Sequence, residues 1–490
     1  MTMLPVAFLL LLQAAANDLE QSIRTFSRVF AAVEANAADP VNPHLAIYEN
    51  ALPALLRTLD PHSVFLSPAQ FEQLREMERS TTRGFGTIVS VLPGRVIVLQ
   101  TIAGGPSARA GIAPGDEIVA VNGYRLDLLD MDQLVAVLGQ TRQSQAQLYV
   151  RRPGTAKLLE FLLTPEELAS PSVDRAWQIQ PGVAYIRITS FEGETANQLQ
   201  EALSRLGGAS LAGLVLDLRN NGGGIVNSAI EIAGYFLKPG ARILTARGRA
   251  RAAEESTVPD KAVPYEFPIA VLINEKTASA AEIVSGALQD HDRATIVGTA
   301  SFGKGLVQSV YPMSDGTAMA LTTAFYFTPS GRSIQRPLRE GQLGANARYA
   351  HLEQNEEFRT DSGRVVKGGG GIEPDIVIAP RGHTRLGAYL DASGILTAFA
   401  TEFVRKQPGV DRSFTVSDAL LDDLQVFLSE RNVRPGLSEW SAERAWVRSR
   451  VHQEIFNLAL GVAAGDEVES KRDEQVRRAV GALGVSPAKR

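Results

Sequence analysis

Apolar and polar positions repeat with a different period in successive stretches of the chain. Between residue 17 and about residue 80 apolar side chains recur at helical spacing, through Ile23, Phe26, Val29, Phe30 and Val33 and again through Leu52, Leu55, Leu56 and Leu59. Asp60-Pro61-His62-Ser63 breaks that pattern. From Gly84 to about residue 166 the period becomes that of short strands. Val96–Leu99 and Gln147–Val150 are β-rich, Asp132–Leu138 is a short helix, and Pro114-Gly115-Asp116 and Asn122-Gly123 are tight turns around a buried strand. From about 170 to 380 strands and helices alternate. Val183–Ile188, Leu214–Leu218, Ile269–Ile273 and Ala294–Gly298 read as strands, and Ala196–Leu206, Ile225–Leu237 and Ser279–Leu288 as helices. The unbroken apolar run at Leu214–Leu218 belongs to a sheet covered on both faces. Residues 246–262 are charged and read as loop. Beyond Asp375 the pattern is helical with polar linkers, and Ser470–Leu483 reads as one charged helix ending near Gly484.

The expected fold is therefore α/β and multi-domain. A leader spans 1–16, a helical region 17–80, a β-rich module 81–168, an α/β core 169–380 and a second helical region 381–490. The apolar run after Met3 is too short to cross a bilayer. Its length suits the core of a secretory signal, with Ala14–Ala16 as cleavage site, although the first basic residue is Arg24. This predicts export, to the periplasm; the alternative is an N-terminal helix. Composition narrows the chemistry. Among 490 residues the net charge is −5, which gives no pull toward nucleic acid. The absence of cysteine excludes disulfides and thiolate metal sites. The six histidines never form H-x-x-x-H with an acidic partner, which argues against a zinc hydrolase.

Two short segments carry candidate chemistry. Thr277-Ala278-Ser279-Ala280-Ala281-Glu282 puts a hydroxyl at a helix start, and Phe302-Gly303-Lys304-Gly305-Leu306-Val307-Gln308 puts one lysine among apolar and glycine neighbours. Ser279-x-x-Glu282 is also a capping box, so Ser279 has a purely structural reading. The catalytic reading rests on the helix N-terminus, whose unpaired N–H groups and positive dipole end suit an oxyanion. Lys304 reads either as a solvated lysine or as a buried amine whose lowered pKa lets it take the serine proton. Gln308, four residues on, has an amide able to orient that amine. Gly222-Gly223-Gly224, between a strand and a helix, is a plain turn or a backbone donor to the oxyanion; it lacks the P-loop Lys-Ser/Thr.

These motifs, in this order, resemble the carboxyl-terminal processing (tail-specific) serine proteases. Leu59-Asp60-Pro61-His62-Ser63 looks like the motif that ends the family's N-terminal helical region. Gly84 to Gly123 looks like its embedded PDZ domain, and Leu216 to Gly224 like its core strand and turn. Thr277–Glu282 followed by Phe302–Gln308 matches its nucleophile and base segments, with 25 residues from Ser279 to Lys304. Gly369-Gly370-Gly371-Ile372-Glu373-Pro374-Asp375 resembles the segment closing the protease core. The resemblance implies Ser279 as nucleophile, Lys304 as general base, Gln308 as the residue positioning the lysine, and the amides of Ala280 and Gly223 as oxyanion hole. Asp290 matches a recurrent aspartate, read as structural support. Thr277 and Ala281 stand where the family commonly has serine. Arg83-Gly84-Phe85-Gly86-Thr87 is a looser form of the usual Gly-aliphatic-Gly loop.

A PDZ module adds a peptide as an extra strand and captures its terminal carboxylate on backbone amides. Here Gly84, Phe85, Gly86 and Thr87 would be that loop. Leu134 and Leu138 would line the groove, or else belong to the core. The implied partners are proteins or peptides with apolar C-termini, selected by their tails. An adaptor or activator and a homo-oligomer are open, nucleic acid is not expected, and no cofactor is implied. Two other readings compete: a catalytically silent PDZ-containing scaffold or chaperone, and a Ser-His-Asp hydrolase using His291 and Asp292. No Gly-x-Ser-x-Gly surrounds Ser279 to support the latter.

Overall fold

The computed structural model describes residues 4–92, 94–142, 144–249, 252–337, 356–379, 382 and 384–485. The chain divides into two units. One takes in the residues up to Pro68 together with Gln308–Thr322. The other holds Ala69–Val307, Thr323–Pro337 and the described residues from 356 on.

In the first unit the helix Leu4–Asn36 precedes a π-helical turn, Leu45–Ala51, that runs into the helix Leu52–Arg57. The apolar stripe Leu19, Ile23, Phe26, Val29 and Val33 lies exposed on the long helix. Asp60 organises the break that follows. One of its oxygens accepts the N–H groups of His62 and Ser63, both at 2.8 Å, and the other accepts the Ser63 hydroxyl at 2.7 Å. Ser63 Oγ in turn accepts the Thr322 N–H at 3.1 Å. That turn sets the strand Val64–Leu66 antiparallel to Ala318–Ala320, with Val64 opposite Ala320.

The second unit is built on a six-stranded sheet whose strands lie side by side in chain order: Val173–Gln180, Val183–Ile188, Gly213–Asp217, Ile269–Ile273, Ala294–Gly298 and Ile376–Val377. All pair in parallel except the first, an antiparallel edge. Gly213–Asp217 and Ile269–Ile273 are buried at every position. Successive side chains alternate between two faces, as strand geometry requires. Leu214, Leu216, Val271 and Ile273 join the helices Thr195–Leu206, Val226–Gly234 and Ala280–Asp290 in one core. Val215, Ala270 and Leu272 point the other way, onto Val476, Ala479 and Leu483 of the helix Glu474–Ala482 and its end. The C-terminal helical region thus supplies a full layer of the sheet. Each such buried aliphatic side chain is worth about 1.5–3 kcal/mol.

A five-strand antiparallel path lies within the same unit: Thr87–Leu92, Arg95–Thr101, Glu117–Val121, Ala146–Arg151 and Leu159–Leu163. Thr87–Leu92 is its edge. The helix Met131–Thr141 buries Leu134 in this module's core, and Leu138 is half-buried beside it. The exposed positions of that helix include Met131 and Val135. Leu99 packs against the C-terminal helices, and Gln100 accepts the N–H of Val462 at the start of the helix Val462–Arg472.

The stretch 246–262, read as loop, contains the strand Glu254–Thr257 and the end of Arg242–Arg247, which pair with each other. Residues 470–483 form two helices' ends rather than one helix, because the Asp473 carboxylate caps a new start by accepting from Gln475 and Val476 N–H.

Candidate active site

Three consecutive parallel strands deliver their C-terminal loops to one place, the edge at which open α/β sheets carry their sites. After Asp217 comes the turn 218–224, after Ile273 the turn to Ser279, and after Gly298 the loop to Lys304. Buried Thr277 stitches them together: its hydroxyl donates to Leu218 O at 2.8 Å, and its carbonyl accepts the Phe302 N–H at 2.9 Å. Asn221, also buried, accepts the Ala278 N–H on its backbone carbonyl.

Ser279 has φ 55° and ψ −117°, a conformation L-residues rarely adopt. Such a strained position costs about 1–3 kcal/mol and marks functional sites. Its side chain is half-buried between buried Ala278 and Ala280. The capping glutamate has a wider role than the sequence pattern suggests. Glu282 Oε2 accepts the N–H of Ser279 at 2.8 Å and that of Lys304 at 2.9 Å. Its Oε1 accepts Gly303 N–H at 2.7 Å and the Ser301 hydroxyl at 2.5 Å. Burial holds the pKa of this carboxyl above its ordinary value, and these donors offset only part of the rise. Tyr326, 1% exposed, directs its hydroxyl at the carbonyl oxygens of both Ser279 (3.1 Å) and Lys304 (3.0 Å).

Lys304 is half-buried, with Leu306 buried and Phe302 47% exposed. Gly303 has φ 87°, and a Cβ there would lie 2.9 Å from the Cβ of Arg336, so only glycine fits the turn before the lysine. Gln308 belongs to the first unit, where its amide nitrogen donates to the His62 carbonyl at 2.5 Å. Gly223 touches the serine side of the site. Its N–H, however, donates to Asn221 Oδ1 at 2.8 Å.

Asp290 ends the helix Ala280–Asp290 in a buried cluster. It accepts Arg332 at 2.8 Å, the Thr328 hydroxyl at 2.5 Å and Ser330 N–H at 3.0 Å. His291, at the opposite end of that helix from Ser279, contacts Asp361 Oδ2 at 2.8 Å and the Arg242 carbonyl at 2.7 Å. An eleven-residue helix separates His291 from Ser279, roughly 16 Å along its axis, which removes the Ser-His-Asp reading. Among the described residues no cluster of His, Asp and Glu is arranged to hold a metal ion.

In the β-rich module, Gly86 takes φ 71° and the carbonyls of Phe85 and Gly86 accept from Ser107 and Ile102. Gly84 ends the strand Thr81–Gly84, and the Thr87 hydroxyl pairs with that of Ser107. Sequence reasoning read Glu282 as the cap of Ser279, which it is, but missed its bonds to the second loop, and Tyr326 carried no signal.

Residues 182–340, which hold Ser279 and Lys304, match peptidase family S41, and residues 97–152 match a PDZ domain. The carboxy-terminal-processing protease of Bartonella bacilliformis is 35% identical over 59% of this chain and 67% of its own length. The carboxyl-terminal-processing protease of Synechocystis is 34% identical over 58% of this chain and 68% of its own. CtpB of Bacillus subtilis, a carboxy-terminal processing protease, is 32% identical over 59% of this chain and 61% of its own. These matches define a serine-type peptidase with a PDZ domain, acting on proteins or peptides. The chain belongs to the carboxyl-terminal processing proteases of family S41.

Proposed function

We propose that this peptidase is an endopeptidase working through a Ser279–Lys304 dyad. The observation that supports it best is the meeting of both backbones on one buried carboxylate at the C-terminal edge of the sheet. In this reading the neutral Lys304 amine takes the Ser279 proton as Oγ attacks the scissile carbonyl carbon. The same proton goes to the leaving amine, and water then hydrolyses the acyl-enzyme. Gln308 is proposed to orient the amine. The oxyanion donors are the Ala280 amide at the helix N-terminus and a glycine amide of the 222–224 turn. The Gly223 N–H serves once it leaves Asn221, a rotation that two successive glycines at φ 97° and 141° permit.

We propose also that the PDZ module selects substrates by their C-terminal tails. The edge strand Thr87–Leu92 accepts the tail as an added strand, the loop Gly84–Thr87 takes its carboxylate, and Ile88 and Val135, both exposed, meet its apolar side chains. Leu134 takes no part, being core. Export, to the periplasm, is part of the same reading. Among the described residues no helix is long and apolar enough to cross a membrane.

The test is Ser279→Ala and Lys304→Ala in the purified chain. Each is expected to abolish degradation of an unfolded protein substrate; wild-type turnover by either variant overturns the dyad. Tail binding with no cleavage by the wild-type protein at any pH would mark it as a scaffold instead.

A further inference from the structure

We propose that Glu282 and Tyr326 form a clasp that fixes the distance between nucleophile and base, making both of them positioning residues for the reaction. The proposal rests on the dyad reading above. A helix cap needs only the first of Glu282's interactions, the one with Ser279 N–H. The other three donors, Ser301 Oγ, Gly303 N and Lys304 N, come from the loop after a different strand, Ala294–Gly298. One side chain anchored in the nucleophile helix therefore gauges the gap between two loops. Tyr326 closes the same gap from the carbonyl side, and its own N–H donates to Gly305 O at 3.0 Å. Ser279 and Lys304 are each gripped at both ends of the residue. Their Cα–Cβ directions are set, and only the side-chain torsions are left to move.

Every group facing the Glu282 oxygens is a donor, so the clasp calls for an ionised carboxylate. Glutamine has the same shape but turns an NH2 toward N–H groups. Aspartate falls one methylene short of the second loop. Misplacing a reacting group by about 1 Å costs on the order of 100-fold in rate.

The experiment uses the full chain with Glu282→Gln and Tyr326→Phe, the latter removing one hydroxyl and keeping the ring. Turnover of an unfolded protein substrate and labelling of Ser279 by a fluorophosphonate are measured across pH. For Glu282→Gln, kcat and labelling rate should fall about 100-fold with KM within about 3-fold, the pattern of lost transition-state geometry. For Tyr326→Phe the fall should be about 10-fold. In both, the loss of kcat should persist at every pH, since a displaced amine no longer meets the hydroxyl. Melting temperature and tail-peptide affinity should stay at wild-type values for Tyr326→Phe. Should Glu282→Gln fail to fold, Tyr326→Phe decides. Folded variants with wild-type kcat overturn the clasp alone, provided Ser279→Ala and Lys304→Ala are inactive. If Ser279→Ala is active, dyad and clasp fall together.

Discussion

Gly223 stands against Ser279 so closely that a Cβ on the glycine would lie 2.8 Å from the serine Cβ. It would also lie 2.8 Å from Ala278 O and 2.9 Å from Ala280 N, all inside the normal contact limit. With φ at +97° the position is strained for any other residue. Gly223→Ala is expected to lower kcat by about 100-fold or more, because the serine must shift. A variant that turns over substrate at the wild-type rate would show that the turn has no part in catalysis.

Arg219 links the strand before the glycine turn to the C-terminal helices. It binds both oxygens of Asp217, and it reaches Asp473 at 2.6 Å and Gln475 at 2.7 Å. Asp217 is 2% exposed, and it also accepts the Tyr185 hydroxyl at 2.7 Å. Arg219→Ala leaves that carboxylate buried without its cation and should cost about 3 kcal/mol in a urea titration. Loss of less than about 0.5 kcal/mol, the size of a surface effect, would contradict the assignment.

The same carboxylate makes stability sensitive to acid. Burial opposes its ionisation, but Arg219 and Tyr185 outweigh burial and hold its pKa below the ordinary value. The unfolded chain then binds a proton first as pH falls, so the contribution is present above about pH 4 and is lost as pH drops through the folded-state pKa. Asp217→Asn should show a shallower fall of melting temperature between about pH 5 and pH 3 than the wild type. Parallel curves would refute the linkage.

Leu483 packs on Gly213, where a Cβ would come within 2.9 Å of its Cδ1. Leu483→Ala should destabilise by about 2–4 kcal/mol through the cavity it leaves under the sheet. Removing the chain from Asp473 onward should prevent accumulation of folded protein, as judged by soluble yield. A stable, active truncation would mean that this layer is dispensable.

His291→Ala should leave kcat unchanged, since the ring faces Asp361 and Arg242 at the far end of the helix Ala280–Asp290 from Ser279. Loss of turnover in a folded variant would restore the histidine reading.

The central strands were legible because burial on both faces leaves them almost wholly apolar, Arg187 and Thr295 being exceptions. Val183–Ile188, Ile269–Ile273 and Ala294–Gly298 fall where their apolar runs place them. The strands of the neighbouring sheet were not. Arg242–Arg247 has charged ends and pairs on both sides, and Glu254–Thr257 is a charged, exposed edge that only pairing makes a strand. At the site, local pattern marked Ser279 and Lys304, but no pattern reveals that Glu282 joins two loops or that Tyr326 arrives from a later strand. The apolar residues of the helix Met131–Thr141 all looked alike in sequence; the fold alone separates Leu134, wholly buried, from Val135, 57% exposed.

The helix Glu474–Ala482 leaves the ribosome after the central strands have been made, yet it covers one face of them. Until it docks, Val215, Ala270 and Leu272 are bare to water and the nascent core has one wall missing. Closure of the catalytic sheet is thereby deferred: none of its central strands has both walls until residues 474–483 have been made.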